Sequence, residues 1–170
     1  MKVLGIDPGY DRLGIAVISG DASRPTHEHS ECFTPIVTPK SGRTKADDTK
    51  DFLERLHLCG ERVAAVIAEH APDALAIETL FFAANKTTAL HVAEIRGAIL
   101  YEATRANIPV VEYAPSSVKL AVTGHGASDK RGVEDMVKRL VTLPQREMID
   151  DEYDAIAVAI THLSHARVTR

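Results

Sequence analysis

The sequence has few cysteines, no long apolar run and no excess of positive charge. Two cysteines, Cys32 and Cys59, among 170 residues give no disulfide framework and suit a reducing compartment. No stretch approaches the ~20 apolar residues that a membrane span requires. The start, Met1-Lys2-Val3-Leu4-Gly5-Ile6-Asp7, lacks the long apolar stretch and small-residue cleavage site of a secretory signal. These absences lead to the expectation of a cytoplasmic protein without a membrane segment. No repeat of roughly 20–50 residues is visible, which argues against a solenoid. With 20 Lys+Arg against 24 Asp+Glu the net charge is −4, unlike a protein that coats DNA through general basicity. An enzyme with a local basic surface beside an acidic metal site is compatible with that balance. Apolar residues at 45% and charged residues at 26% are ordinary for a globular chain, and the length predicts a single domain over 1–170 with a real core.

Short apolar runs ending in turn residues mark the strands. Lys2–Asp7 reads as a buried strand that stops at Asp7-Pro8-Gly9, where Pro8 fixes φ and Gly9 tolerates a positive one. Leu13–Ser19 reads as its hairpin partner and His27–Val37 as a weaker third strand. Thr38–Lys50 is predicted to be a loop, and Asp51–His70 a helix with Phe52, Leu56, Val63, Val66 and Ile67 near one face. Ala74–Ile77 is a short apolar strand that stops at Glu78; a helix over Lys86–Ala106 and a strand over Ile108–Glu112 follow. Helices over Pro115–Val122, Asp129–Val141 and Asp151–His165 complete the chain. The order predicts an α/β fold: a mixed five-stranded sheet, antiparallel at its start and parallel where helices intervene, with helices on both faces. Sites in such sheets lie beyond the C-terminal strand ends, where Asp7 and Glu78 fall.

Asp151 and Asp154, three apart at the start of a helix, share one face. If the two strands are neighbours and that helix caps them, Asp7, Glu78, Asp151 and Asp154 converge. Close carboxylates repel and are costly to bury, and a divalent cation resolves both problems. Mg²⁺ prefers oxygen ligands, and paired ions suit phosphodiester hydrolysis. Each acid also has a plainer reading. Asp7 could simply start a turn, and Asp150, Asp151, Glu152 and Asp154 could be helix-start acids.

Gly5-Ile6-Asp7-Pro8-Gly9, Ala76-Ile77-Glu78 with Phe81, and Asp151-Glu152-Tyr153-Asp154-Ala155 with Ile160-Thr161-His162 resemble the RuvC Holliday-junction resolvases. Glu112 to Lys119, then Gly124-His125-Gly126 and Lys130, continue the likeness in order, so it spans about Met1 to His165. The resemblance implies an RNase H-like fold and a two-fold homodimer. It implies a structure-specific endonuclease that resolves four-way DNA junctions by paired strand cleavage in recombination and repair. Asp7, Glu78, Asp151 and Asp154 would be its catalytic metal ligands for two Mg²⁺, with Mn²⁺ as the alternative ion. In this scheme Asp7 and Asp154 hold the ion that activates water, Asp7 and Glu78 hold the second, and Asp151 completes the first. RuvA and RuvB would be branch-migration partners. Two departures concern DNA contact: the segment before the first helix looks long, and Ala84 stands where a lysine is often found.

Of Phe81 and Phe82, adjacent residues that cannot face the same way, one is expected to stack on a junction base and one to be core; the resemblance points to Phe81. Lys119, Lys130 and Arg131, with Ser116 and Ser117, suit phosphate contacts, and Lys40, Arg43 and Lys45 form a second basic strip. Alternation along a strand puts His27 and His29 on one face and Cys32 on the other, which argues against a zinc cage. His162 would support the site and His165 would be exposed. On the helix over Lys86–Ala106, Leu90, Ala93, Gly97, Leu100 and Tyr101 form the face that the resemblance would place at a dimer interface; packing on the sheet is the alternative. Three rivals stay open. Asp-Pro-Gly before a second strand is also found in actin-like ATP-binding folds, though those need two lobes. A non-catalytic junction binder and an RNA-directed nuclease of the same superfamily are the others.

Overall fold

The computed structural model describes residues 1–37, 45–80 and 86–166. The elements are β1 (Lys2–Asp7), β2 (Leu13–Asp21), β3 (Arg24–Phe33), α1 (Lys45–His70), β4 (Ala74–Glu78), α2 (Lys86–Arg105), β5 (Val110–Tyr113), α3 (Pro115–Thr123), α4 (Lys130–Leu140) and α5 (Asp150–His165). They form one mixed five-stranded sheet in the order β3-β2-β1-β4-β5. β1, β2 and β3 pair as an antiparallel meander, while β1–β4 and β4–β5 are parallel. The expected α/β architecture is therefore present.

Alternation along the central strands distributes two cores. Leu4 and Ile6 of β1 and Leu75 and Ile77 of β4 pack with α1 and α2. Val3 of β1 and Ala76 of β4 pack with α3, α4 and α5. α1 contributes Phe52, Cys59, Val63, Val66 and Ile67, and α2 contributes Ile95, Ile99 and Ala103, to the first core. α5 is buried nearly all round, from Tyr153 to Leu163 apart from Asp154, because it lies between the sheet and the α3–α4 pair.

Two glycines set how closely α5 approaches. A side chain on Gly5 of β1 would strike the Ala155 carbonyl and the Ala159 methyl; one on Gly14 of β2 would strike the Asp151 carbonyl. Glycine at these positions lets the start of α5 rest directly on the strands that carry and flank Asp7.

The sheet and helices differ from the sequence reading at their margins. α1 begins at Lys45, six positions before the predicted Asp51, so its first turns fall in the predicted loop. Residues 38–44 lie outside the described part, including Lys40 and Arg43. β3 runs Arg24–Phe33 rather than His27–Val37, because it follows β2 down to the Gly20-Asp21 turn. Its register also slips: Val17 pairs with His29 and Ile18 with His27, leaving Glu28 as the extra residue of a bulge. The bulge overturns the expected facing of the histidines. His27 bonds Ser30 on the α5 side through Nε2 at 2.9 Å, whereas His29 packs against His70 of α1 in a tilted ring pair with centroids 5.2 Å apart.

Candidate active site

Asp7 is the last residue of β1, and Gly14 lies opposite it on β2. Glu78 is the last residue of β4. The parallel register ends with Ile6 beside Ile77, so the next pair along the two strands is Asp7 and Glu78. Both follow core residues of the opposite face and so project toward α5. Asp154 stands in α5 above them. Asp7, Glu78 and Asp154, together with Pro115, Val118, Lys119, Lys130 and Val133, line one cleft of about 280 Å³. Three of the expected acids and two of the expected lysines thus meet in a single recess.

The energetics of the cleft are those of crowded carboxylates. Burial, then repulsion by Glu78, Asp154 and Asp151, pushes Asp7 up to about 7. Burial, then Asp154, pushes Glu78 up to about 7 as well. Asp154 and Asp151 are also raised, in each case by burial first. An all-oxygen donor set whose members disfavour one another's charge is what a hard divalent cation would relieve, so the residues fit such an ion.

Two cations already lean on these acids. Lys130 Nζ lies 3.0 Å from Asp150 and 3.5 Å from Asp154. Arg12 Nε lies 3.2 Å from Asp151, and its Nη1 lies 3.7 Å from Asp150. Asp151 therefore sits at the edge of the recess, turned toward Arg12 and within 3.9 Å of Cys32 Sγ. Among the described residues no three His, Cys, Asp or Glu side chains already stand grouped as a metal cage. Lys130 lies against Asp154 and Arg12 against Asp151 instead.

The remaining expectations divide. Phe81 and Phe82 lie outside the described residues. Arg131 is exposed and does not line the cleft, and neither Ser116 nor Ser117 does. α4 is fixed just before Lys130 by Asp129, whose carboxylate accepts the Gly132 amide at 2.8 Å. His162 is buried, with Nδ1 2.9 Å from the Tyr113 hydroxyl, and belongs to the packing of α5 on β5. His165 is exposed, as expected. On α2 the expected face is split: Leu90 and Tyr101 are exposed, Gly97 has open space beside it, and Leu100 packs on the sheet side.

Sequence reasoning missed three features. Arg12 carried no signal beyond its place in the turn after Asp7. Asp150 reads in the sequence only as a helix-start charge. The third is a buried polar set under α5. Arg146 makes two bonds to the Glu152 carboxylate, Ser30 donates to Glu152 Oε2 at 2.9 Å, and the Ile149 amide donates to Oε1 at 3.2 Å. Arg146 also donates to the Ser30 carbonyl at 2.8 Å. Glu152 is only 2% exposed, and together these bonds tie the approach to α5 onto β3.

Residues 3–162 match the family described as crossover junction endodeoxyribonuclease RuvC. A protein of that description from Syntrophomonas wolfei is 40% identical over 169 residues, covering 99% of this chain and 92% of its own. Another from Thermotoga petrophila is 36% identical, covering 100% and 96%. The solved structure of Thermus thermophilus RuvC in complex with a Holliday junction substrate superposes with a TM-score of 0.83 at 32% identity, covering 99% of this chain and 96% of that one. The yeast mitochondrial Holliday junction resolvase Ydc2 superposes with a TM-score of 0.65 at 15% identity, a likeness of fold alone.

Proposed function

The chain belongs to the RuvC family of crossover junction endodeoxyribonucleases, and on that premise we propose that it cuts four-way DNA junctions at a divalent-metal centre built on Asp7, Glu78 and Asp154, with Asp151 joining from the edge. The activity is Holliday-junction resolution by an RNase H-like nuclease. The observation that carries the site assignment is that three of these acids share one cleft with Lys119 and Lys130.

Asp7, at the centre of the repulsion, would be the ligand shared by both metal positions, with Glu78 on one side and Asp154 on the other. The cofactor would be Mg²⁺, two ions per site with Mn²⁺ as the alternative, and it would supply a lowered pKa of water and stabilisation of the leaving 3′-oxygen. A cage of side chains is not required, because Mg²⁺ keeps several waters and takes one or two carboxylates together with substrate phosphate. Lys119 and Lys130 line the same recess and would hold the phosphate backbone, fixing the strand without reading sequence. Arg131 and one of Phe81 and Phe82, Phe81 by the resemblance, are assigned to DNA contact.

Cutting two opposed strands requires two such sites, which supports a homodimer. The outward side of α2, where Leu90 and Tyr101 are 58% and 64% exposed, is the surface assigned to it. Chain 1–170 would act as one nuclease domain. Among the described residues no helix is long and apolar enough to cross a membrane. A cytoplasmic location rests on the low cysteine content, and the partners RuvA and RuvB rest on family resemblance. Cleavage of a four-way junction, a linear duplex and an RNA–DNA hybrid at one salt concentration tests the reading. Mg²⁺-dependent nicks confined to the junction are expected; equal cutting of the hybrid would reject it.

A further inference from the structure

Asp150 belongs neither to the cleft lining nor to the proposed ligand set, yet two cations meet on it. Lys130 approaches from α4 and lies nearer to Asp150, at 3.0 Å, than to Asp154, at 3.5 Å. Arg12 approaches from the turn between β1 and β2 and spans Asp150 at 3.7 Å and Asp151 at 3.2 Å. Each cation is therefore shared between one proposed ligand and Asp150. Both cations come from other elements, so Asp150 is the point through which the α5 start is linked electrostatically to α4 and to the β1–β2 turn. Its side chain is 45% exposed, so nothing in the core depends on it.

We infer that Asp150 is a positioning residue that draws Lys130 off Asp154 and gives Arg12 a second carboxylate beside Asp151, leaving Asp154 and Asp151 available to the metal. The physical reason is competition. A cation resting on Asp154 or Asp151 must move before a divalent ion can use that oxygen. With Asp150 alongside, Lys130 gives up the weaker of its two contacts and keeps the stronger, and Arg12 has a second carboxylate within reach. Without Asp150, the ion pairs left to these cations among the described residues are those with Asp151 and Asp154, and metal binding has to break those pairs outright.

This rests on the metal reading of Asp7, Glu78 and Asp154, and the test separates the two. The readouts are the Mg²⁺ concentration giving half of the maximal rise in melting temperature and the affinity for a four-way junction without Mg²⁺. Asp150→Asn is expected to raise the Mg²⁺ half-point about two- to fivefold, the range of one partly exposed ion pair, and to leave metal-free junction binding equal or tighter. Asp150→Glu should restore the wild-type half-point. Glu147→Gln, which removes one exposed charge from the preceding loop, should not shift it. Asp150→Asn titrating at the wild-type concentration, or Glu147→Gln shifting by the same factor, would overturn the inference. So would a change confined to the metal-free melting temperature, which marks a helix-start charge alone. If the wild type itself gains no stability from Mg²⁺ while Asp7→Asn behaves identically, the metal reading falls and this inference with it.

Discussion

Gly14 lies opposite Asp7 on the β1–β2 ladder, and a side chain at Gly14 would run into the carbonyl of Asp151. One glycine thus sets the distance between the strand that supplies Asp7 and the helix that supplies Asp151 and Asp154. Gly14→Ala should force the start of α5 away from the sheet. The expected result is a loss of about 1–3 kcal/mol in unfolding free energy, as for overpacking elsewhere. Mg²⁺-dependent cleavage should fall further than that loss explains, measured on the folded fraction. Wild-type cleavage with wild-type stability would show that the helix position is slack.

The crowded acids make a pH prediction. Asp7 rises from 3.8 to about 7 on folding and Glu78 from 4.5 to about 7. Their folded values lie above the unfolded ones, so the stability they contribute is complete below about pH 4 and is lost as pH climbs through about 7. Metal-free protein should therefore melt lower at pH 8 than at pH 5.5. His27 and His162, whose protonation burial disfavours, act in the opposite direction. The comparison is thus against Asp7→Asn/Glu78→Gln, which should lack the downward component. Saturating Mg²⁺ should also remove it. Parallel melting profiles for the two proteins would contradict the assigned burial and repulsion.

Glu152 is buried against Arg146 while Arg146 keeps one side in solvent, at 43% exposed. Removing the arginine strands a buried carboxylate with only Ser30 and the Ile149 amide. Arg146→Met should cost about 2–3 kcal/mol, and Glu152→Leu/Arg146→Met should cost less than the two single changes added together. Urea unfolding of the four proteins measures this. Strict additivity would mean that the pair does not act as a unit.

Tyr101 and Leu90 expose their side chains on the outward face of α2. Tyr101→Asp should leave the fold intact and convert a dimer to a monomer in sedimentation velocity. The monomer should nick single strands without paired resolution. A monomeric wild type would remove this surface from the account.

The sequence carried the strand-end acids because the strands themselves were legible. Uninterrupted apolar runs stopped by Asp7 and Glu78 leave few other ways to place those residues, and parallel pairing of β1 and β4 followed from the helix between them. Polar elements were harder to bound. The start of α1, Lys45-Ala46-Asp47-Asp48-Thr49-Lys50, has no apolar stripe, and β3 mixes His, Glu, Ser and Cys in a strand whose bulge no periodicity announces. The turning of Asp151 toward Arg12 was illegible for a different reason. It depends on two side chains far apart in the chain that meet only after α5 docks.

The most direct measurement is cleavage of a mobile four-way junction by Asp7→Asn, with junction binding measured alongside. The substitution removes one charge from the centre of the acid cluster and preserves shape. Binding close to wild type is expected, with Mg²⁺-dependent cleavage reduced at least about a hundredfold. Cleavage at the wild-type rate would contradict the metal assignment.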